Sequence, residues 1–158
     1  MQQIAIYTDG ACSGNGRANA PGGWAAVLVH PSKELELSGA EPNTTNQRME
    51  LQAAIEGLKA LTAPSSVTVY SDSAYVVNAF RQRWFDKWRA NGWRTSGKQA
   101  VANRDLWEEL LDLVERRGHA VEFRKVAGHA DAGGRASDAH ETYNQRADRL
   151  AVAAIESR

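Results

Sequence analysis

The sequence "AIYTDGACSGNG", residues 5–16, places an alternating apolar stretch before a carboxylate and a glycine-rich turn. The alternation predicts a β-strand that ends at Asp9. An Asp-Gly pair after such a stretch is most often a hairpin turn. Two interpretations of Asp9 therefore stand open here, a turn residue or a functional carboxylate at the end of a strand.

The phrase "YTDG" at 7–10 is echoed by "YSDS" at 70–73. In both, the acid lies two residues after a tyrosine, so both side chains occupy one face of their strand. If the two strands are parallel neighbours joined by a helical crossover, Asp9 and Asp72 lie at the same edge of the sheet. Open α/β sheets bind their ligands at this edge.

Two further alternating segments follow the first strand, "WAAVLVH" (24–30) and "ELELSGA" (34–40). Together the three segments predict a meander of consecutive antiparallel strands. After these strands the apolar spacing changes from two residues to the spacing of a helix. Thr44 and Gln47 match a capping box, which predicts that the helix begins there.

The rest of the chain alternates between helical and extended patterns. The predicted segments are a strand over 67–73, helical sequence over 73–88 broken near Gly92, a helix over 103–116, a strand over 119–126, and a helix over 142–156 that starts at a capping box formed by Thr142 and Gln145. The stretch 128–139 is rich in Gly, Ala, Ser and Asp, and we predict a mobile loop there. The order βββαβαααβα predicts an α/β fold, in which helices flank a mixed sheet of five strands, an antiparallel meander plus parallel strands.

Composition limits the class of protein. The chain has 158 residues, enough for one domain, and Cys12 is the single cysteine, so no disulfide can form within it. The longest apolar run, 24–29, is too short to span a membrane, and the first residues lack the pattern of a secretory signal. We therefore expect a cytoplasmic protein with no membrane contact. Basic and acidic residues number 19 each, so binding of nucleic acid would depend on a local basic patch.

Two more acids lie on apolar helix faces. Glu50 precedes Ala54 by one helical step, and Asp148 precedes Ala151 in the same way, so both are expected to point toward the sheet. A structural ion pair remains an alternative for each. Carboxylates that converge repel one another unless a cation offsets their charge. Oxygen ligands suit Mg²⁺ or Mn²⁺, and a pair of such ions can act on a phosphodiester.

Several motifs in one order make the sequence similar to type 1 ribonuclease H, the family that cuts the RNA strand of RNA/DNA hybrids. They are "YTDG", "TTNQRMEL", "YSDS", "WFDKWRANGWRTSGK", "NRDLW", "VAGH" and "NQRADRLA". The resemblance implies a single catalytic domain over 1–158. We expect a monomer that requires no protein partner, because the chain is small and offers no spare apolar helix face. The resemblance further implies cleavage with two Mg²⁺ ions, for which Mn²⁺ can substitute, to give 5′-phosphate and 3′-hydroxyl ends. The implied catalytic residues are Asp9, Glu50, Asp72, Asp148 and His129, of which the four acids bind metal and His129 assists proton transfer or product release.

The resemblance also implies where the RNA/DNA hybrid binds. The basic segment, residues 81–98, carries six basic side chains and one acid, and it matches the basic protrusion of the family. Within it, Trp84 is expected to pack in the core. The other implied contacts are Asn15, Asn46 and Gln47 at the minor groove or ribose, Tyr75 and Trp88 beside a channel for the DNA strand, and Thr45, Asn103 and Ser96 around a DNA phosphate.

The chain departs from the family pattern in three places. Asn43 stands where the phosphate pocket usually has an arginine. Two outcomes are open: phosphate binding is weaker, or Arg48 or a residue of the basic segment supplies that charge. Extra residues occur at 17–20, and the loop after His129 is longer than the family pattern.

Two alternative functions remain. A hybrid-binding module that has lost its chemistry should lack a carboxylate, and none of the four is missing. An integrase or another nuclease that acts on DNA should lack the basic segment and the amides of Asn46 and Gln47.

Overall fold

A computed structural model describes residues 1–14, 17–126 and 139–157. In this part of the chain the strands are β1 (Gln2–Cys12), β2 (Gly22–His30), β3 (Lys33–Glu41), β4 (Ser65–Ser71) and β5 (Ala120–Lys125), and the helices are α1 (Asn46–Lys59), α2 (Ala74–Arg81), α3 (Trp84–Ala90), α4 (Arg104–Arg116) and α5 (Ala139–Glu156). None of these helices has the length and apolar content that crossing a bilayer requires.

The strands form one mixed sheet in the order β3-β2-β1-β4-β5. β1, β2 and β3 are antiparallel neighbours, whereas β4 runs parallel to β1 and to β5. The predicted α/β fold with a five-stranded mixed sheet is therefore confirmed. Tyr7 pairs with Tyr70 and Thr8 with Ser71, so the echoed motifs lie in register. This register brings Asp9 and Asp72 to the same edge.

Helices cover both faces of the sheet. On one face α1, α2 and α4 enclose the main core, and on the other α5 packs over β1 and β2 through Ala147 and Ala151. The larger side chains of the main core include Ile6, Leu51, Ile55, Leu58, Val69, Trp107 and Leu110. Because helices cover the central strands β1 and β2 on both faces, polar groups on these strands can meet solvent where the strands end.

Both predicted capping boxes are wrong. Thr45, not Thr44, is the N-cap of α1, and its hydroxyl accepts a hydrogen bond from the Arg48 amide at 3.2 Å. Thr44 is buried, and its amide donates to the carbonyl of Ala20, so this residue still belongs to the segment before the helix. Thr142 lies inside α5, which begins at Ala139.

The helical sequence over 73–88 divides earlier than predicted. Arg83 has a left-handed backbone with φ of 52°, and it separates α2 from α3. The apolar spacing continues across Arg83, so periodicity alone gives no sign of the break. The predicted loop over 128–139 lies outside the described residues, except for Ala139.

Candidate active site

Three carboxylates meet at the edge of the sheet where parallel strands end. Asp9 is near the end of β1, Asp72 directly follows β4, and Glu50 is in the first turns of α1. Carboxylate oxygens of the three residues lie within 4.8 Å of one another. Asp148 of α5 lines the same cleft and contributes to the raised pKa of Asp9, so the four acids that were singled out in the sequence converge.

A glycine allows α1 to come this close to β1. A Cβ atom on Gly10 would stand 2.5 Å from the backbone nitrogen of Glu50 and 2.6 Å from the carbonyl carbon of Met49. Both neighbours are backbone atoms, which cannot move aside as a flexible side chain could. The prediction that the strand ends at Asp9 is wrong, because β1 continues to Cys12. Asp9 and Gly10 both pair with β2, so they do not form a hairpin turn, and the role of Gly10 is close packing against α1.

The four acids line one open cleft of about 300 Å³. Its lining consists of Asp9, Gly10, Asn46, Gln47, Glu50, Asp72, Ser73 and Asp148. No lysine or arginine is among these described residues. The negative charge of the cleft therefore has no cationic side chain in its lining to offset it.

The surroundings of Asp9 and Glu50 favour the protonated forms of these two carboxyl groups. Burial, followed by the negative charge of Asp72 and the hydrogen bond with Asp148, raises the pKa of Asp9 from 3.8 to about 8. The amide of Gly10 donates to Asp9 Oδ1 at 2.9 Å and offsets only part of this effect. Burial and the charges of Asp9 and Asp72 also raise the pKa of Glu50 well above its ordinary value. A cation in the cleft would favour the ionised forms of Asp9 and Glu50.

The donor set fits a divalent metal ion. Glu50 Oε1 is buried and has no hydrogen-bond partner among the described residues. An unpaired buried acceptor of this kind costs about 1 to 3 kcal/mol, and a cation would satisfy it. All ligand atoms of the cluster are carboxylate oxygens, which suit hard ions such as Mg²⁺ or Mn²⁺ rather than zinc.

Exposed polar groups on the first turn of α1 border the cleft. Asn46 and Gln47 are the first two residues of α1, and both line the cleft beside Glu50. Ser73 was not predicted as a site residue from the sequence. It lines the cleft, and it caps α2 by accepting a hydrogen bond from the Val76 amide at 3.2 Å. A serine directly before a helical segment was the available signal. Asn15 and His129 lie outside the described residues.

Some of the residues that were expected around a DNA phosphate lie close together in the structure. Arg48 Nη1 lies 3.4 Å from Asn103 Oδ1, and the Arg48 guanidinium also binds both carboxylate oxygens of Asp105, at 3.0 and 2.7 Å. Thr45 is the N-cap three residues before Arg48. Ser96 is exposed in a separate turn, and the described contacts do not connect it with the others.

An aromatic cluster connects Tyr75 with the basic segment. The Tyr75 hydroxyl accepts hydrogen bonds from Asn103 Nδ2 at 3.1 Å and from Trp107 Nε1 at 2.8 Å. The rings of Tyr75 and Trp88 both lie against Trp107, at centroid distances of 5.6 and 5.3 Å. Trp84 packs against the core as predicted, and Trp88 does so as well.

A mixed sheet in this order, with a cluster of partly buried acids beside the ends of its parallel strands, fits the class of metal-dependent nucleases with an α/β fold. The RNase H family model matches residues 1–156. The chain is 56% identical to Ribonuclease H of Symbiobacterium thermophilum over 155 residues, which cover 98% of this chain and 96% of that protein. The chain therefore belongs to the RNase H family. Members of this family generally use a divalent metal ion, which agrees with the acid cluster.

Solved structures agree with this assignment. LC9-RNase H1, described as a type 1 RNase H with the type 2 active-site motif, superimposes with a TM-score of 0.79 and 34% identity, over 99% of this chain and 74% of that chain. LC11-RNase H1, solved in complex with an RNA/DNA hybrid, has a TM-score of 0.70 and 22% identity over 98% of this chain and 97% of that chain. The second likeness supports the fold alone.

Proposed function

We propose that this chain hydrolyses the RNA strand of RNA/DNA hybrids at internal positions and leaves 5′-phosphate and 3′-hydroxyl ends. The observation that carries the proposal is the convergence of Asp9, Glu50, Asp72 and Asp148 in one open cleft of a ribonuclease H fold. The match to the RNase H family and the relative named Ribonuclease H at 56% identity support the choice of substrate.

The same four acids are the proposed metal ligands, for two Mg²⁺ ions that Mn²⁺ can replace. When bound, the ions supply positive charge at the attacking and leaving oxygens of the phosphodiester. The unpaired oxygen of Glu50 and the raised pKa of Asp9 support this assignment, because both reflect negative charge that lacks a partner. His129 is proposed to move a proton or to assist product release.

Recognition of RNA is assigned to groups beside the cleft. The 2′-hydroxyl is both a donor and an acceptor, and uncharged amides can pair with it. Asn46 and Gln47 are exposed at the cleft and therefore accessible to a minor groove, and Asn15 is proposed to join them. Glu50 can accept a hydrogen bond from the 2′-hydroxyl nearest the cut.

Recognition of the DNA strand is assigned to residues at the start of α1 and at the start of α4. Thr45, Asn103 and Ser96 are proposed to hold a DNA phosphate, and Arg48 is proposed to supply the charge that Asn43 lacks. The contact of Arg48 with Asn103 supports this assignment. Tyr75 and Trp88 are proposed to border the path of the strand, because both lie against Trp107 beside Asn103.

We further propose that residues 1–158 act as one catalytic domain, as a monomer and in the cytoplasm. The match of the family to residues 1–156 supports a single domain. The lone Cys12 agrees with a reducing compartment.

The proposal is tested with one labelled sequence prepared as RNA/DNA hybrid, RNA duplex and DNA duplex. Each is incubated with Mg²⁺, with Mn²⁺ or with a chelator, using the wild type, Asp9→Asn, and Asp112→Asn as a control that changes an acid of α4. We expect the wild type and the control to cut only the RNA of the hybrid and only with metal, and Asp9→Asn to be inactive. Cutting of the DNA duplex would contradict the substrate assignment, and binding without cutting would indicate a hybrid-binding module.

A further inference from the structure

Helix α5 carries Asp148 and rests on the sheet through very small side chains. Ala147 and Ala151 are fully buried against Tyr7, Ala25 and Val27. A Cβ atom on Gly23 would collide with the carbonyl oxygen of Ala151, so backbone and backbone are in close approach. Tyr143 and Leu150 are larger side chains of α5 that pack against this contact. Because methyl groups interlock less than large side chains do, these larger groups contribute to fixing the rotation of the helix about its axis.

A polar clamp joins α5 to β3, and it consists of Tyr143, Arg146, Glu34 and Glu36. The Tyr143 hydroxyl donates to Glu34 Oε2 at 2.6 Å. Arg146 Nη1 donates to Glu34 Oε1 at 2.8 Å and lies 3.4 Å from Glu36 Oε2. The guanidinium of Arg146 also lies over the Tyr143 ring, 5.1 Å from its centroid. The two helix residues therefore hold two glutamates on one face of a single strand.

The clamp also contacts the strands that carry the other acids. The Tyr143 ring lies 5.0 Å from the Tyr7 ring, and Tyr7 stacks on Tyr70 at 4.7 Å. Tyr7 and Tyr70 each precede a carboxylate of the cluster by two residues, namely Asp9 and Asp72. Tyr143 is thus linked through ring contacts, directly to Tyr7 and through it to Tyr70, with the two strands that carry these acids.

The clamp and Asp148 lie on different sides of the helix. Arg146 and Asp148 are two residues apart, which corresponds to about 200° around a helix axis. A rotation of about 10° would move a carboxylate about 6 Å from the axis by about 1 Å. Displacements of that size in a catalytic group can lower a rate by about 100-fold. A contact that fixes rotation therefore affects the Asp148 carboxylate although it does not touch it.

We propose that Tyr143 and Arg146, held by Glu34 and Glu36, are positioning residues that orient Asp148 toward Asp9 for metal binding. The inference rests on the proposed function, because it assumes that these acids bind the metal. The side chains of the clamp are partly exposed, 28% for Arg146 and 40% for Glu34, so its loss should have little effect on global stability. Its effect should instead appear in metal affinity.

The test is the Mn²⁺ dissociation constant of Tyr143→Phe and Arg146→Met, measured by calorimetry without substrate. Tyr143→Phe changes no charge and keeps the ring on Tyr7, and we expect binding about threefold weaker. Arg146→Met removes a cation near the site, which by electrostatics alone would tighten metal binding. We expect binding about tenfold weaker, because loss of orientation outweighs that effect.

A steady-state measurement distinguishes positioning from a general loss of structure. At saturating Mn²⁺ the KM for the hybrid should remain unchanged in both variants, whereas the rate at limiting Mn²⁺ should fall. Arg117→Met is the matched control, because it breaks an exposed pair with Asp112, 3.3 Å, away from α5. This control should bind Mn²⁺ like the wild type.

Three results would overturn the inference. If both variants bind Mn²⁺ as tightly as a wild type that binds and cuts, the clamp does not position Asp148, and the proposed function stands. If Arg146→Met binds more tightly and Tyr143→Phe is unchanged, the effect of the clamp is electrostatic. If the wild type binds no Mn²⁺, the proposed function fails and the inference fails with it. If Arg146→Met does not fold, the Mn²⁺ affinity of Tyr143→Phe alone tests the inference. This variant is expected to fold, because it loses only one hydroxyl group.

Discussion

Asp9 is buried beside three other carboxylates, and this environment determines which charge it can carry. Its pKa of about 8 lies above the ordinary value of 3.8, chiefly because of burial and the charge of Asp72. A divalent ion would reverse this preference, since its charge stabilises the ionised form. Protonation of the cluster and occupation by metal should therefore compete.

The first prediction concerns stability of the metal-free chain against pH. The folded state keeps a proton on Asp9 that the unfolded state loses above about pH 4, so the unfolding free energy should fall as the pH rises toward 8. The stabilisation is fully present below the unfolded pKa and is lost as the pH passes the folded pKa. Each excess proton gives a slope of up to about 1.4 kcal/mol per pH unit. Urea unfolding in the presence of a chelator, at pH 5.5 and at pH 7.5, measures the change in the unfolding free energy.

Two controls assign that slope to the cluster. Asp9→Asn removes the carboxylate, so its metal-free stability should depend less on pH than that of the wild type. Addition of Mg²⁺ should recover stability at pH 7.5 in the wild type and much less in Asp9→Asn. Equal slopes in the two proteins would show that Asp9 does not hold the proton.

At the scale of secondary-structure elements, the approach of α1 to β1 places Glu50 in the site. Gly10 is where this approach is tightest, because an added Cβ would stand 2.5 Å from the Glu50 nitrogen. Because these neighbours are backbone atoms, a clash with a larger side chain at residue 10 could be removed only if the whole helix moved.

The second prediction is that Gly10→Ala destabilises the protein by about 1 to 3 kcal/mol, the usual cost of overpacking. Because α1 must shift, Glu50 moves with it, and metal affinity should fall as well. Thermal unfolding and Mn²⁺ calorimetry measure the two effects. Gly97→Ala is the control, since its Cβ would meet only Thr95 Oγ1, at 3.8 Å, and its stability should stay within about 0.5 kcal/mol of the wild type. A wild-type Mn²⁺ affinity in Gly10→Ala would contradict the prediction.

The elements show which parts of the fold the sequence could predict. The parallel pairing of β1 with β4 was predictable, because the echo of "YTDG" and "YSDS" is a local pattern that the register reproduces. The division at Arg83 was not, since a left-handed residue is chosen by how α3 packs rather than by periodicity. The contacts of Tyr143 with Glu34 also escaped prediction, because 109 residues separate them.

The third prediction concerns the link between α1 and α4. If Arg48 serves the DNA phosphate, Arg48→Gln should raise the KM for the hybrid by about three- to tenfold and leave kcat unchanged. Asp105→Asn removes the carboxylate that holds the Arg48 guanidinium at 2.7 Å, so it should leave KM equal or lower. Steady-state kinetics at fixed salt compare the two. If the pair only ties the helices together, both variants should instead change KM in the same direction.

For the whole molecule, the formal net charge of zero raises the question of how a polyanionic duplex is attracted. The acid cleft repels phosphates. The basic segment carries cations, and its Trp88 packs with Tyr75 against Trp107. Lys87 and Lys98 of that segment are exposed, so both can reach a phosphate. Attraction should therefore depend on where cations lie rather than on their total number.

The fourth prediction compares two double variants with the same change of charge. Lys87→Gln with Lys98→Gln removes two cations of the basic segment, and Lys33→Gln with Arg117→Gln removes two exposed cations near the opposite ends of the strands. Binding of the hybrid is measured by fluorescence anisotropy over a range of salt, in an Asp9→Asn background that does not cut. The first pair should weaken binding and lower the slope of log K against log salt by about two, since each phosphate contact releases about one counterion. The second pair should leave the slope unchanged, whereas equal losses in both pairs would mean that net charge, and not the basic segment, attracts the duplex.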